Sequence, residues 1–283
     1  MTDMNNNKIL VNLKKKIIEV RHSLRRLTFG KRLKPSFVIV GAQKAGTTSL
    51  YRYLIQHPNI KSSLLKEIHY FDLNYNKSLS WYHLFFPLKT KKNNITGEAS
   101  PYYMFHPFAI ERIAKVNPDI KIIVLLREPA SRAISHFYHE VRLGREYLNM
   151  KEAMGRESQR LEGEQKKFRQ NPYYKSHNYQ YFSYRSRGLY VDQIKEIKKF
   201  FSDDKIMIID SNDFFNKTEK VVENVLTFLN QEIVFDIQTE KQFNTWDKNQ
   251  DLNEDSIRKE LKLFYKNPNK ELFDLIDKKF DWD

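Results

Sequence analysis

The stretch "GAQKAGTTSL", residues 41–50, has the residue types of a phosphate-binding loop and directly follows the apolar run "SFVIV". Gly41 and Gly46 keep the glycine spacing of the P-loop, G-x-x-x-x-G-K-[ST]. Two threonines follow the second glycine, however, and the lysine, Lys44, lies inside the loop. A glycine-rich turn from strand to helix directs backbone N–H groups and the positive end of the helix dipole at one point. The sequence therefore predicts an anion site, with a purely structural turn as the alternative.

A second candidate anion site follows the apolar run "KIIVLL". P-loop NTPases hold Mg²⁺ with an acid at the end of a second apolar strand, but this run ends in Arg127. A guanidinium there binds an anion, and Ser135 adds a hydroxyl two turns into the next predicted helix. Ligands of α/β folds bind at the carboxyl ends of the strands. A ligand with two separated anionic groups therefore fits better than a magnesium nucleotide, which leaves a P-loop kinase or ATPase as an alternative.

The elements that must position these residues alternate along the chain after Pro35. Continuous apolar runs, typical of strands buried on both faces, are "SFVIVG" (36–41), "IKIIVLL" (120–126) and "KIMIID" (205–210). Helical patterns follow in "TTSLYRYLIQHP", "ASRAISHFYHEVRLG", "YVDQIKEIKKFF" and "TEKVVENVLTFLN". This alternation predicts an α/β fold with a P-loop-like central parallel β-sheet, flanked by helices on both faces.

Residues 1–34 differ from the rest and are predicted to form a basic N-terminal tail or helix. Apolar residues recur at near-helical spacing beside a dense Lys/Arg face; they are Ile9, Leu10, Leu13, Ile17, Ile18 and Val20. The pattern fits a helix lying on a membrane surface, a helix packed on the following domain, or a solvated tail.

The charge balance favours anionic partners. Lys and Arg number 49 against 35 Asp and Glu, a formal charge of +14, which suits an anionic substrate and cofactor, a nucleic acid, an anionic membrane or a merely basic surface. The chain has no cysteine, which excludes disulfides, zinc thiolates and a cysteine nucleophile. Neither a membrane-spanning apolar run nor a signal-peptide core is present. A cytoplasmic protein is expected, with peripheral membrane contact through residues 8–34 left open.

Two aromatic-rich stretches, residues 68–87 and 171–190, lie outside the apolar runs. Aromatic faces beside polar groups suit a sugar-binding cleft, and equally a platform for single-stranded nucleic acid. Ordinary packing of loops over the sheet explains any single ring as well, so all three interpretations stay open.

Several motifs in the same order resemble one enzyme family. "GAQKAGTTSL" resembles the 5′-phosphosulfate loop of sulfotransferases that use 3′-phosphoadenosine 5′-phosphosulfate (PAPS), and "LLREPASRAISHFYH" resembles their 3′-phosphate motif. "KEIHYFD" (66–72) resembles the catalytic loop of the carbohydrate, heparan-sulfate-type branch, and "TGEASPYYM", "RGLYVDQI" and the C-terminal "LFYKNPNKELFDLIDKKFDW" resemble its further segments. The resemblance runs from about Pro35 to Trp282 and implies a single sulfotransferase domain, residues 35–283, similar to bacterial members.

The resemblance implies transfer of a sulfuryl group from PAPS to a hydroxyl, less readily an amine, without a metal. The cofactor contacts that it implies are Gln43, Lys44, Ala45, Gly46, Thr47, Thr48, Ser49, Arg127, Ser135 and Tyr190. The acceptor contacts that it implies are Lys66, Glu67, His69 and Tyr102, and the catalytic residues are Lys44, Glu67 and His69. The expected partner is a saccharide or glycolipid, and no nucleic acid.

These residue types fit sulfuryl transfer. Lys44 can stabilise the phosphate oxygen on which negative charge develops, and the Glu67 carboxylate can take the proton of the acceptor hydroxyl. His69 is the rival base, because the small-molecule branch of the family uses a histidine. An ion pair between Glu67 and Lys66, and a packed loop histidine at His69, are the structural alternatives.

Two departures from the family pattern bear on the site. Many members place a lysine just before the Ser/Thr-Pro of the third motif, where this chain has Ala99; Lys66 is the candidate replacement. The basic loop that covers the 3′-phosphate in animal members is replaced by "FNTWDKNQD" (243–251), in which only Lys248 is basic. A basic nucleic-acid-binding protein, which gives Glu67 no role, and a P-loop kinase or ATPase are the competing functions.

Overall fold

A five-stranded parallel sheet forms the centre of the protein. We analysed a computed structural model, which describes residues 13, 16–28, 30–90, 92–233, 238 and 254–282. The strands are β1 Phe37–Gly41, β2 Ile60–Ser62, β3 Ile95–Ala99, β4 Lys121–Leu126 and β5 Ile206–Asp210. Their order is β2–β3–β1–β4–β5, and every neighbouring pair is parallel. The predicted α/β fold is confirmed. The segment 243–251, which includes Lys248, lies outside the described residues.

Helices cover the sheet on both faces. They are α1 (residues 16–24, with Leu13 also helical), α2 Thr47–Leu54, α3 Leu79–His83, α4 Ala109–Val116, α5 Pro129–Arg142, α6 Met150–Gly155, α7 Glu157–Leu161, α8 Glu164–Gln170, α9 His177–Tyr181, α10 Tyr190–Phe200, α11 Ser211–Asn216, α12 Thr218–Phe228 and α13 Glu254–Ile276. Helix α2 packs with α12, while α10 packs with α4 and α13. Every residue of β1 is buried, so both faces of the sheet are covered at its central strand.

Strands β2 and β3 lack the apolar runs that predict the other three. Strand β3 contains Gly97, where a Cβ would lie 2.6 Å from the ring of Phe37, and Glu98, a fully buried carboxyl. Strand β2 is three residues long and exposes two of them. The sequence does not predict these strands because β3 carries polar residues with a structural role and β2 is a short edge strand. Helix α2 also ends at Leu54, before the predicted end at Pro58.

The carboxyl ends of three strands place the predicted site segments at one edge of the sheet. Strand β1 leads into residues 41–46, here called the glycine loop, and β4 leads to Arg127. Strand β3 ends beside the KEIHYFD loop, because Ala99 N donates to Lys66 O (3.0 Å). None of the described helices has the length and apolar character needed to cross a membrane.

Candidate active site

A cleft of about 1040 Å³ opens at this edge of the sheet. The predicted site residues that line it are Gln43, Lys44, Gly46, Thr47, Thr48, Ser49, Glu67, His69, Tyr102, Arg127 and Ser135. Three others lie outside its lining. Ala45 and Tyr190 are buried in the core. Lys66 does not line the cleft but contacts two residues that do, Thr48 and Glu67.

The glycine loop turns sharply into α2. Gly46 has a φ of 100°, and a Cβ there would lie 2.9 Å from a ring atom of Phe215, so both conformation and space require glycine. Lys44 also lies in the left-handed region, with a φ of 72°, a conformation that costs energy for a lysine. Residues 46–49 line the cleft, so the positive end of the α2 dipole faces it.

Lys44 lies among other cations. Burial, together with the charges of Arg142 and Arg127, lowers the pKa of Lys44 to about 8. Arg127 also donates to the Lys44 carbonyl (3.2 Å) and so ties the end of β4 to the glycine loop. A negatively charged ligand would relieve the repulsion between these cations, so the electrostatics of this part of the cleft suit the predicted anion site.

Helix α5 forms the wall beside Arg127. Residues spaced three and four apart on this helix line the cleft; they are Ser131, Ser135, Tyr138 and Arg142. The Glu128 carboxylate caps α5 by accepting from the backbone N–H groups of Ala130 (2.8 Å) and Ser131 (2.7 Å). An anion beside Arg127 must therefore be held mainly by side chains.

A continuous chain of polar contacts joins the glycine loop to the KEIHYFD loop. Lys66 Nζ donates to Thr48 Oγ1 (2.8 Å) and lies 2.5 Å from Glu67 Oε1. Glu67 Oε2 is 3.3 Å from His69 Nε2, and His69 Nδ1 is 2.8 Å from Asp72 Oδ2. These contacts bring a carboxylate, an imidazole and an ammonium group to the candidate anion site.

Glu67 and His69 are held in opposite charge states. Burial opposes the charge on Glu67, but the hydrogen bond from His69 and the charges of Lys66 and His69 outweigh it and lower the pKa of Glu67 to about 2. Burial also opposes the charge on His69, yet Asp72 and Glu67 raise its pKa to about 10. At neutral pH Glu67 can accept a proton, whereas His69 already carries one. The Glu67 side chain is also the more exposed of the two, 41% against 22%.

The KEIHYFD loop rests on the end of β3. The Glu98 carboxylate accepts hydrogen bonds from the hydroxyls of Tyr82 (2.7 Å), Ser100 (2.7 Å) and Tyr103 (3.1 Å). The Ser100 hydroxyl in turn accepts from the backbone N–H of His69 (3.3 Å). Burial raises the pKa of Glu98 to about 7. A buried carboxyl therefore positions the backbone that carries the two candidate catalytic side chains.

Several residues of the site had no predicted role. Asp72 belongs to the KEIHYFD motif and Arg187 to "RGLYVDQI", so each lay in a recognised segment. Arg187 is buried and donates to the Gln43 side chain, which ties that segment to the glycine loop. The further basic residues that line the cleft are His139, Arg142, Arg145, Arg258 and Lys262. Their spacing forms no motif, because they meet only through the packing of α5 and α13.

Most rings of the two aromatic-rich stretches are packed within the protein. Tyr70 stacks on Tyr82 (4.6 Å between centroids) and Tyr179 on Phe105 (4.4 Å), whereas Tyr181 lines the cleft. Of the three interpretations of these stretches, packing therefore accounts for most of the rings. Within the described ranges, no three His, Asp or Glu side chains are grouped as a metal site would need.

Comparison with known proteins places this arrangement in a family. A sequence profile described as "Sulfotransferase domain" matches residues 34–274. The solved sulfotransferase from Alicyclobacillus acidocaldarius is 29% identical and superposes with a TM-score of 0.68, covering 87% of this chain and 97% of that one.

Curated relatives match a shorter part of the chain. Heparan sulfate glucosamine 3-O-sulfotransferase 6 of Homo sapiens is 40% identical over 108 residues, which are 38% of this chain and 31% of that protein. A membrane-associated sulfotransferase of Dictyostelium discoideum is 36% identical over 109 residues, which are 38% of this chain and 23% of that protein. The match thus spans less than a third of either relative. Because the domain profile covers most of the sequence, however, the chain belongs to the sulfotransferase family.

Proposed function

We propose that this sulfotransferase transfers a sulfuryl group from PAPS to a hydroxyl of a saccharide or glycolipid. The observation that carries the proposal is the polar chain from Thr48 through Lys66 to Glu67, which joins an anion site to an ionised carboxylate in one cleft. When bound there, PAPS supplies the sulfuryl group, and its 5′-phosphate is the leaving group.

The cationic and hydroxyl groups of the cleft fit a donor with two separate anionic groups. The residues assigned to the 5′-phosphosulfate are Lys44, Gly46, Thr47 and Thr48, and those assigned to the 3′-phosphate are Arg127 and Ser135. Lys44 neutralises the charge that develops on the phosphate as the sulfuryl group leaves, and burial strengthens that interaction.

Two buried residues support the donor site indirectly. The Tyr190 hydroxyl donates to the Arg127 carbonyl (2.9 Å), and the Ala45 carbonyl accepts from the Ser211 hydroxyl (2.9 Å). We therefore assign Tyr190 and Ala45 the role of fixing the backbone at the two anion sites.

Glu67 is the general base in this proposal. It accepts the acceptor's hydroxyl proton as the oxygen attacks sulfur, while the protonated His69, held by Asp72, fixes the direction of the carboxylate. A pKa of about 2 makes Glu67 a weak base in the free protein. An anion beside Thr48 competes with Glu67 for Lys66, and the withdrawal of that cation raises the basicity of Glu67.

Lys66 is the proposed replacement for the cation that is missing at Ala99. The two residues are neighbours, since Ala99 N donates to Lys66 O (3.0 Å). The ammonium group of Lys66 lies 2.8 Å from the Thr48 hydroxyl. Lys66 can therefore supply positive charge near the sulfuryl group from the KEIHYFD loop, whereas a lysine at position 99 would supply it from β3.

A saccharide acceptor is supported by the relatives and by the cleft. The human relative is named as a heparan sulfate glucosamine 3-O-sulfotransferase. The cleft that contains Glu67 is also lined by Tyr102, Tyr181 and Gln180, a combination of aromatic rings and hydrogen-bonding groups that suits sugars.

The direct test incubates the full chain with radiolabelled PAPS and a panel of glycans and glycolipids. We expect transfer of label to at least one saccharide and binding of 3′-phosphoadenosine 5′-phosphate (PAP). Failure to label any acceptor, combined with no measurable affinity for PAP, would contradict the proposal.

The base assignment is tested by substitution. Glu67→Gln should lower kcat by roughly 10² or more and leave PAP affinity nearly intact, because it removes the proton acceptor and keeps the shape. Glu111→Gln, at a partly exposed carboxylate of α4 that pairs with Lys115, is the control and should be fully active. Full activity of Glu67→Gln together with an inactive His69→Ala would show that the base is His69.

A further inference from the structure

Helix α1 is fixed to the domain by one face. His22 is buried, its ring packs on Phe85 (4.2 Å between centroids) and Trp81 (5.3 Å), and its Nε2 lies 3.0 Å from the Trp81 carbonyl. Arg25 donates to the carbonyls of Leu84 (3.0 Å) and Phe85 (2.9 Å). These contacts fix the rotation of the helix about its axis.

The opposite face of α1, continued by the 3-10 turn Arg25–Leu27, presents a row of apolar side chains to solvent, here called the outer stripe. Its members and their exposed fractions are Leu13 53%, Ile17 49%, Val20 58%, Leu24 56% and Leu27 74%. Alternating steps of four and three residues align them along one side of the helix. Because His22 and Arg25 anchor the other side, the stripe cannot turn inward. A contiguous apolar row of this kind is typical of an interaction surface.

Basic residues surround the outer stripe. Residues 8–34 contain ten Lys and Arg and a single acid, Glu19. Lys16 and Arg21 are exposed and flank the stripe on its two sides, at helical angles of roughly 60 to 80° from its centre. The surface therefore offers apolar side chains bordered by positive charge.

The charge around the outer stripe distinguishes between two possible partners, a second copy of α1 and a membrane. Two copies of α1 could align their stripes at coiled-coil spacing, but each would bring a strongly basic helix to the other, with only Glu19 available for an attractive pair. An anionic bilayer satisfies both features, because the stripe enters the headgroup boundary while Lys and Arg meet the phosphates. We propose that the outer stripe of α1 docks this sulfotransferase peripherally on an anionic membrane surface.

Vesicle flotation of the full chain tests this docking. The protein should bind vesicles of phosphatidylcholine with roughly 30 mol% phosphatidylglycerol about tenfold or more better than pure phosphatidylcholine, and salt should weaken that binding. The double variant Leu24→Ser/Leu27→Ser should bind the anionic vesicles about tenfold or more weakly. The control is Leu143→Ser/Leu263→Ser, two exposed leucines outside α1, and it should bind as the parent protein does.

Three outcomes would overturn the proposal. They are no binding of the parent protein to anionic vesicles, equal binding of the stripe variant and the control, and a parent dimer that the stripe variant converts to a monomer without any lipid binding. Light scattering on the two variants distinguishes the last outcome. If the double variant fails to fold, Leu27→Trp provides an independent measurement by comparison with the parent protein, which already has three tryptophans. Anionic vesicles should shift the emission of Leu27→Trp to the blue by more than that of the parent, and neutral vesicles should leave both unchanged.

Discussion

Lys44 belongs to the glycine loop and Lys66 contacts Thr48 at the start of α2, but the two lysines have different electrostatic environments. Lys44 is crowded by Arg142 and Arg127, and has a pKa lowered to about 8 by burial and by those charges. Lys66 instead has a carboxylate partner, Glu67, at 2.5 Å. The charge of Lys44 therefore changes just above neutral pH.

This difference predicts the pH dependence of turnover. Lys44 acts in its protonated form, so kcat/KM should be maintained below pH 8 and fall as pH rises through about 8. Glu67 and His69, with pKa values of about 2 and about 10, keep their charges across that range. Lys44→Arg stays charged to higher pH, so the descending limb should disappear from its profile even if its rate is lower. A limb near pH 8 that persists in Lys44→Arg would assign the titration to another group.

The sequence predicts those residues of the candidate site whose role follows from their position in a motif. Lys44 follows from the displaced lysine of the loop, and Arg127 from a guanidinium where an NTPase has an acid. Arg258 and Lys262 line the same cleft, but no local pattern predicts that, because the packing of α13 on α5 and α10 brings them there.

At the scale of elements, the buried carboxyl of β3 connects the sheet to the candidate catalytic loop. The same residue makes the strand hard to predict, since Glu98 interrupts the apolar pattern that identifies β1 and β4. Its hydrogen bonds to Tyr82, Ser100 and Tyr103 explain why a carboxyl is tolerated there. The buried hydrogen bonds that support the KEIHYFD loop are thus the reason why β3 is less apolar than β1 and β4.

Glu98 should give the folding stability a distinctive pH dependence. Burial raises its pKa from 4.5 to about 7 in the folded protein, so between these values the native state keeps a proton that the unfolded chain has released. Its contribution to the free energy of unfolding is therefore full below pH 4.5 and is lost as pH rises through about 7. Glu98→Gln cannot titrate and should lose less stability than the parent protein between about pH 5 and 7.5.

Urea unfolding at the two pH values measures this difference. Glu111→Gln removes a partly exposed carboxylate of α4 and should follow the parent protein at both pH values. Parallel stability profiles for the parent protein and Glu98→Gln would exclude Glu98 as the titrating group.

At the scale of the whole molecule, part of the excess positive charge is concentrated in the cleft. Among the described residues that line the cleft, seven are Lys or Arg and three are Asp or Glu. The overall charge of +14 indicated an anionic partner but not where it binds. The location depends on the parallel sheet, which brings the ends of β1 and β4 together with α5 and α13.

This concentration of charge predicts that nucleotide binding stabilises the fold and that the 3′-phosphate carries much of the effect. At a hundredfold excess over its Kd, PAP should raise Tm by roughly 5 °C or more, and salt should reduce the shift. At the same concentration 5′-AMP should give a clearly smaller shift, because it lacks the group assigned to Arg127 and Ser135. In Arg127→Ala the two nucleotides should become nearly equal, whereas in Lys44→Ala the difference between them should persist. Equal shifts by PAP and 5′-AMP in the parent protein would mean that the cations at the end of β4 do not bind a 3′-phosphate.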